Sequence, residues 1–196
     1  GTEHGTSHVS IVDRWGNAVA MTTTVEASLG AWRVVRGFVL NNQLTDFSPQ
    51  PDDADGPVAN RLQGGKRPRS SMAPTLVFDR APDGARGALR VVTGSPGGAA
   101  IIPFVAQTLL ALLDGPMVGR MDAQAATALP HVAAFNTPVT VLERDHPDTA
   151  ALAALEAALQ ARGHRVVRAP LTSGVATILR VPGGWQGGAD PRREGA

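Results

Sequence analysis

The hydrophobic pattern of this chain first changes period at Gly94-Ser95-Pro96-Gly97-Gly98, and that break limits what the chain can fold into. Before it, apolar residues come in short β-branched runs separated by turn formers, the pattern of strands. Residues 8–13 (HVSIVD) and 17–24 (NAVAMTTT) flank the turn Arg14-Trp15-Gly16 and predict a hairpin. Residues 33–40 (RVVRGFVL) predict a third strand, and a polar Pro/Asp/Gly-rich loop follows over 48–65. Residues 75–79 and 89–93 predict two more strands joined by a Gly-containing turn over 81–87. From Gly97 the spacing turns helical, with one long buried helix to Leu113. A shorter helix is predicted from Asp122 as N-cap, a strand over 139–143, and an amphipathic helix over 149–161 that stops at Gly163. Residues 166–168 and 175–181 read as closing strands, and the Gly- and Arg-rich tail over 187–196 reads as loose. Strands, then helices, then a mixed end predict an α+β or layered sheet–helix domain.

Bulk properties narrow the function. With 196 residues the chain can bury a proper core. Its 18 Lys+Arg against 17 Asp+Glu leave a net charge of +1, with the arginines scattered. Such a balance gives no electrostatic footprint for nucleic acid or an anionic membrane. The absence of Cys excludes disulfides, thiolate metal sites and a cysteine nucleophile. The most apolar run, residues 99–113, carries Pro103 and Gln107 and suits a buried helix better than a membrane span. The chain starts at Gly1 without an initiator Met, so a fragment or processing product with its true N-terminus upstream is expected.

Four segments carry chemistry. Gly5-Thr6-Ser7-His8 stands directly before the first strand. A Thr hydroxyl is a poor nucleophile without a base, and cleavage of the preceding peptide bond frees an α-amine able to take its proton. Small Gly5 suits attack on its own carbonyl; an ordinary strand-edge pair is the alternative. At Gly97-Gly98, between strand and helix, backbone N–H groups can point into a pocket and hold an oxyanion. A tight turn is the plainer alternative, and the Walker and dinucleotide patterns are missing. Asn41-Asn42-Gln43-Leu44-Thr45-Asp46 offers amides and a carboxylate for an ammonium group, or is a solvated turn. Ser70-Ser71, after Lys66-Arg67-Pro68-Arg69, offers two hydroxyls beside a basic loop, or is an exposed loop end.

Taken in order with the closing Ala189-Asp190-Pro191-Arg192-Arg193, these segments resemble the small subunit of γ-glutamyltranspeptidases along nearly the whole chain. The resemblance implies an N-terminal-nucleophile hydrolase with an αββα sandwich, made as one precursor that cleaves itself between Gly5 and Thr6. Residues 1–5 would close the large-subunit segment and 6–196 would form the small-subunit catalytic domain, whose partner is that missing large subunit. Thr6 would be the nucleophile, Thr24 its supporting hydroxyl, and Gly97 and Gly98 the oxyanion donors. Gln43 and Asp46 would hold the α-ammonium of a γ-glutamyl donor, and Ser70 and Ser71 its α-carboxylate. Water or an amine would accept the acyl group, with no metal or cofactor required.

Two departures qualify the substrate. Glu26 stands where well-studied members have Asn, which keeps an attraction for an ammonium but leaves the donor open. The loop between Ser48 and Lys66 looks shorter than the family's lid and has no Tyr, which implies a more open site. Cephalosporin and glutaryl acylases on the same scaffold, or a non-catalytic relative, are the alternatives. Many bacterial relatives are periplasmic or secreted, which slightly favours that location over the cytoplasm.

Overall fold

A computed structural model of the chain describes residues 5–113 and 121–194. Their contacts divide the chain into two compact units. One takes the start of the first strand through Thr6 and the segment Thr23–Ser71; the other takes Ser7–Thr22 and everything described from Met72 onward.

The predicted hairpin forms from β1 (Gly5–Val12) and β2 (Ala18–Glu26), which pair with each other. Its turn closes where Asp13 Oδ1 accepts from the backbone N–H groups of Trp15 and Asn17, at 2.8 and 2.9 Å. Strand alternation sorts the side chains in an unusual way. His8, Ser10 and Thr22 lie on the half-buried face, whereas Val9, Ile11, Val19 and Met21 are exposed. The polar side chains turn inward because they bond one another there.

In the first unit the strand predicted over 33–40 is corrected. It is a tight hairpin of two short strands, β3 (Val34–Val35) and β4 (Phe38–Val39). Arg36 and Gly37, with φ of 50° and 86°, turn the chain back between them. The β-branched residues signalled extended backbone but not the reversal. A 3₁₀ turn over Gln43–Asp46 follows. Within the polar loop the structure adds β5 (Asp52–Asp53) and β6 (Gly56–Pro57), an antiparallel pair that no alternation announces.

The second unit holds β7 (Thr75–Arg80), β8 (Arg86–Gly94), α1 (Ile101–Leu113), α2 (Ala123–Thr127), β9 (Val132–Ala134) and β10 (Thr140–Glu143). It continues through α3 (Thr149–Ala161), β11 (Val166–Ala169), β12 (Ala176–Val181) and β13 (Gly184–Ala189). One sheet has the order β13-β12-β8-β7, all antiparallel. The other runs β11-β10-β9, with β10 and β11 parallel because α3 carries the chain back between them.

α1 buries Ile101, Phe104, Val105, Thr108 and Leu112, the stripe expected of a helix laid on a core. Phe104 is fully buried with Ala100, Ala133, Leu171 and Val175 around it, worth about 2–3 kcal/mol of transfer free energy. The helix starts later than predicted: Gly98–Ala100 form a 3₁₀ turn, since Gly97 and Gly98 have φ of 136° and 58°. Asp122 caps α2 as expected, accepting from Ala125 N–H at 2.6 Å. α3 has the predicted bounds, with Asp148 as its cap.

Two readings fail at the C-terminal half. β9 was not foreseen, being too short to show alternation. The tail over 187–196 is not loose where described: β13 runs to Ala189, and Asp190 is 5% exposed at the centre of an ion network. Among the described residues no helix is long and apolar enough to cross a membrane, which says nothing of strands.

Candidate active site

Thr6 lies on β1 and is 8% exposed. Its Oγ1 stands 2.7 Å from Thr24 Oγ1 on β2, so the hairpin brings together two hydroxyls 18 residues apart. Either hydroxyl can be the donor in this pair. Thr24 Oγ1 already accepts from Glu26 N–H at 2.8 Å. With Thr24 donating to Thr6, the Thr6 proton is left available to leave; with Thr6 donating, Thr24 accepts twice. Glu26 holds this position from the left-handed region, at φ 72°, unusual for a residue with a long side chain. Gly5 fits against the same segment, because a Cβ there would come within 2.5 Å of Ala27 O.

Asn42 ties this segment to the 3₁₀ turn. Its Oδ1 accepts from Ala27 N–H at 3.0 Å, and its Nδ2 donates to Glu26 Oε2 at 2.5 Å and to Thr45 Oγ1 at 3.1 Å. The Glu26 carboxylate is thereby fixed near Asp46. Burial first, then the Glu26 charge, pushes the Asp46 carboxyl above its ordinary value, while Arg69 pulls the other way. Asn60 clamps the far side, donating to Asp46 O at 2.7 Å and accepting from Arg69 N–H at 3.0 Å. Gln43 sits at the start of the turn, its N–H bonded to Asn41 Oδ1 at 3.1 Å. Ser70 is exposed and Ser71 half-buried at the end of this unit. Of the expected residues, Thr6 and Thr24 are thus in direct contact, with Glu26 and Asp46 grouped through Asn42.

Gly97 and Gly98 belong to the second unit and form the turn into α1. Gly97 is confined, since a Cβ there would meet the Phe104 ring at 2.6 Å, while Gly98 is exposed with open space where a side chain would be. A turn fixed on one side and open on the other can present N–H groups to an anion.

His8 follows the nucleophile candidate in sequence, yet its ring is already satisfied. Ser10 Oγ donates to Ala176 O at 2.9 Å, so it must accept from His8 Nε2–H at 3.1 Å. Nδ1 then accepts from Thr22 Oγ1 at 2.8 Å. Burial lowers the His8 pKa from 6.5 to about 4, so the imidazole is neutral at pH 7. Among the described residues no group of three or more His, Asp or Glu side chains could hold a metal ion.

Sequence reasoning passed over Asn42 as an individual residue, and over Asn60 entirely. No local signal marks either, because each fastens segments distant in sequence, Asn42 to Ala27 N–H and Asn60 to Asp46 O.

Against known proteins, the family model for gamma-glutamyltranspeptidase matches residues 1–196. The chain belongs to the γ-glutamyltranspeptidase family. Within it, the glutathione hydrolase proenzyme of Bacillus subtilis (strain 168) is 34% identical over 200 residues, covering 99% of this chain. This chain spans only 30% of that relative's length. A variant of the Helicobacter pylori γ-glutamyltranspeptidase has 32% identity and a TM-score of 0.76, covering 95% of this chain and 99% of that one. The acylase ACY 1 proenzyme of Pseudomonas sp. (strain SE83) is 33% identical over 176 residues, 89% of this chain and 28% of that protein. The fold is accordingly the α+β fold of the N-terminal-nucleophile hydrolases to which this family belongs.

Proposed function

We propose that this chain is the catalytic part of a γ-glutamyl amide hydrolase or transpeptidase, active after the bond between Gly5 and Thr6 is cleaved. The observation that carries it is the 2.7 Å pair of Thr6 and Thr24 hydroxyls, with Thr24 held by Glu26 N–H, in a chain that the family matches end to end. On cleavage the freed Thr6 amine takes the Oγ proton, and Oγ attacks the γ-carbonyl of the donor. The carbonyl oxygen becomes an oxyanion, for which the N–H groups of Gly97 and Gly98 are the candidate donors. Collapse breaks the C–N bond, and the amine returns the proton to the departing amine. The Thr6 ester then passes its acyl group to water or to an acceptor amine.

Glu26 and Asp46 with Gln43 supply the end that takes the donor's α-ammonium, and Ser70 and Ser71 the end that takes its α-carboxylate. A second reading, a glutaryl-type acylase, has in its favour the similarity to the acylase proenzyme. Two neighbouring carboxylates argue against it, because a glutaryl donor brings no cation to offset them. The exposed apolar face of Val9, Ile11, Val19 and Met21 supports a partner segment from the rest of the precursor.

Intact mass of the full-length protein and release of p-nitroaniline from its γ-glutamyl derivative test the proposal. Wild type should split before Thr6 and turn over the donor; Thr6→Ala should do neither. Processing and turnover by Thr6→Ala would remove Thr6 from the mechanism. Faster release from a glutaryl than from a γ-glutamyl donor would favour the acylase.

A further inference from the structure

The turn that presents Gly97 and Gly98 does not stand alone. Ser95, fully buried, donates from Oγ to Pro96 O at 2.6 Å and accepts from Gly174 N–H at 3.1 Å. Gly174 belongs to the loop before β12, and a Cβ there would meet Pro96 Cγ and Arg193 Cδ at 2.7 Å each. The loop and the turn are therefore in close contact, with one buried hydroxyl joining them.

That loop is fixed from the far side. Ser173, also fully buried, donates to Asp190 Oδ2, and Asp190 Oδ2 accepts from Val175 N–H at 3.2 Å. Ser173 O accepts from Arg193 Nε at 3.1 Å, and Ser173 Oγ lies 2.7 Å from His131 Nε2. Every one of these groups is part of the second unit.

Resting on the reading of Gly97 and Gly98 as oxyanion donors, we infer that Ser173 and Ser95 are positioning residues for that turn. Asp190 fixes Ser173, the Ser173–Gly174 peptide fixes Ser95, and Ser95 fixes the carbonyl that precedes the Gly97 N–H. Asp190 thus bears on the turn through the Ser173–Gly174 peptide and Ser95. An oxyanion donor works only if it is aimed where charge develops, and a misplacement of about 1 Å can cost about a hundredfold in rate. Ground-state binding of the donor's amino-acid end depends on other residues and should be spared.

The test uses Ser95→Ala and Ser173→Ala in the full-length protein, with Thr140→Ala as a control. Thr140 is a buried hydroxyl bonded to His164 Nδ1 at 2.8 Å, outside this chain of contacts. Turnover of γ-glutamyl-p-nitroanilide is measured per processed Thr6. A variant that stays unprocessed is made mature by co-expressing the upstream segment with a chain that begins at Thr6. The expected result is a kcat lowered about ten- to a hundredfold in each serine variant, with KM within about threefold. Because the two act in series, the double variant should fall no further than the worse single one. Thr140→Ala should lose stability with kcat unchanged. Serine variants within about twofold of wild type, effects that multiply in the double, or an equal loss in the control would overturn the inference while leaving the proposed function intact. A wild-type protein without donor turnover overturns the proposed function, and this inference with it.

Discussion

Arg192 is the side chain whose loss should most weaken the second unit. It donates to Glu143 twice, at 2.6 and 2.7 Å, to Asp190 Oδ1 at 3.0 Å and to Leu129 O at 2.8 Å. The side chains of Glu143 and Asp190 are only 5% and 1% exposed, and that of Arg192 12%. Asp190 illustrates the balance. Burial raises its pKa, but His131, the Ser173 hydroxyl, the Arg192 N–H and the Arg192 charge together hold it below the usual carboxylate range. Arg192→Met keeps much of the side-chain volume and strands both carboxylates. Removing one partner of a buried pair costs about 3–5 kcal/mol, or about two to three and a half decades in an opening equilibrium. Hydrogen exchange of the full-length protein reads this locally, in peptides that contain the amides of Thr140, Glu143 and Val175. Exchange there should speed up at least a hundredfold at pH 7, with less effect on β3 and β4. Glu143→Leu combined with Arg192→Met should recover a large part of the protection, because an apolar pair needs no counter-charge. Acceleration below about fivefold, which is about 1 kcal/mol, would refute the assignment of this pair as a structural anchor.

Other expectations follow from the first strands. His8 is titrated at about 4 when folded and near 6.5 when unfolded, so the unfolded chain binds the extra proton between those values. Stability should therefore be complete above pH 6.5 and decline as pH drops toward 4, by about 1–2 kcal/mol once partial solvent exposure is discounted. Thermal unfolding across that range should show a steeper slope in wild type than in His8→Gln, the remainder being carried by the buried His131, whose pKa burial also lowers. Thr24→Val removes the hydroxyl that faces Thr6 and should slow donor hydrolysis about ten- to a hundredfold at unchanged fold, read by steady-state kinetics and circular dichroism. Glu26→Asn places a residue that tolerates positive φ at this site and removes one of two neighbouring charges. It should leave stability equal or slightly higher and raise KM for a γ-glutamyl donor relative to a glutaryl one; an unchanged ratio would discount Glu26 in donor selection.

The parts of the fold legible in the sequence are those with local causes. α3 could be read to its bounds from apolar spacing and Gly163, and the β1–β2 turn from Arg14-Trp15-Gly16. What escaped depends on tertiary partners. Nothing local distinguishes a strand over 33–40 from a reversal at Arg36-Gly37, and nothing in a Gly- and Arg-rich tail reveals that Arg192 joins the buried carboxylates of Glu143 on β10 and Asp190. At the candidate site, the Thr6–Thr24 contact was accessible by resemblance, and the hairpin register gives it a geometric cause. The roles of Asn42, Asn60 and Ser95 were not accessible, since each lies in a hydrogen bond between segments far apart in sequence.

The fully satisfied His8 ring has a consequence for how this chain can vary. A Cβ added to Gly94 would lie 2.2 Å from His8 Cε1, so position 94 lacks a side chain because position 8 has a ring. The two positions should co-vary: Gly94→Ala alone should be severely destabilising, yet tolerated better when His8 is replaced by Ala. The glycine that begins the Gly94-Ser95-Pro96-Gly97-Gly98 turn is then a mould for the first strand as well as part of the turn, and one substitution there bears on both.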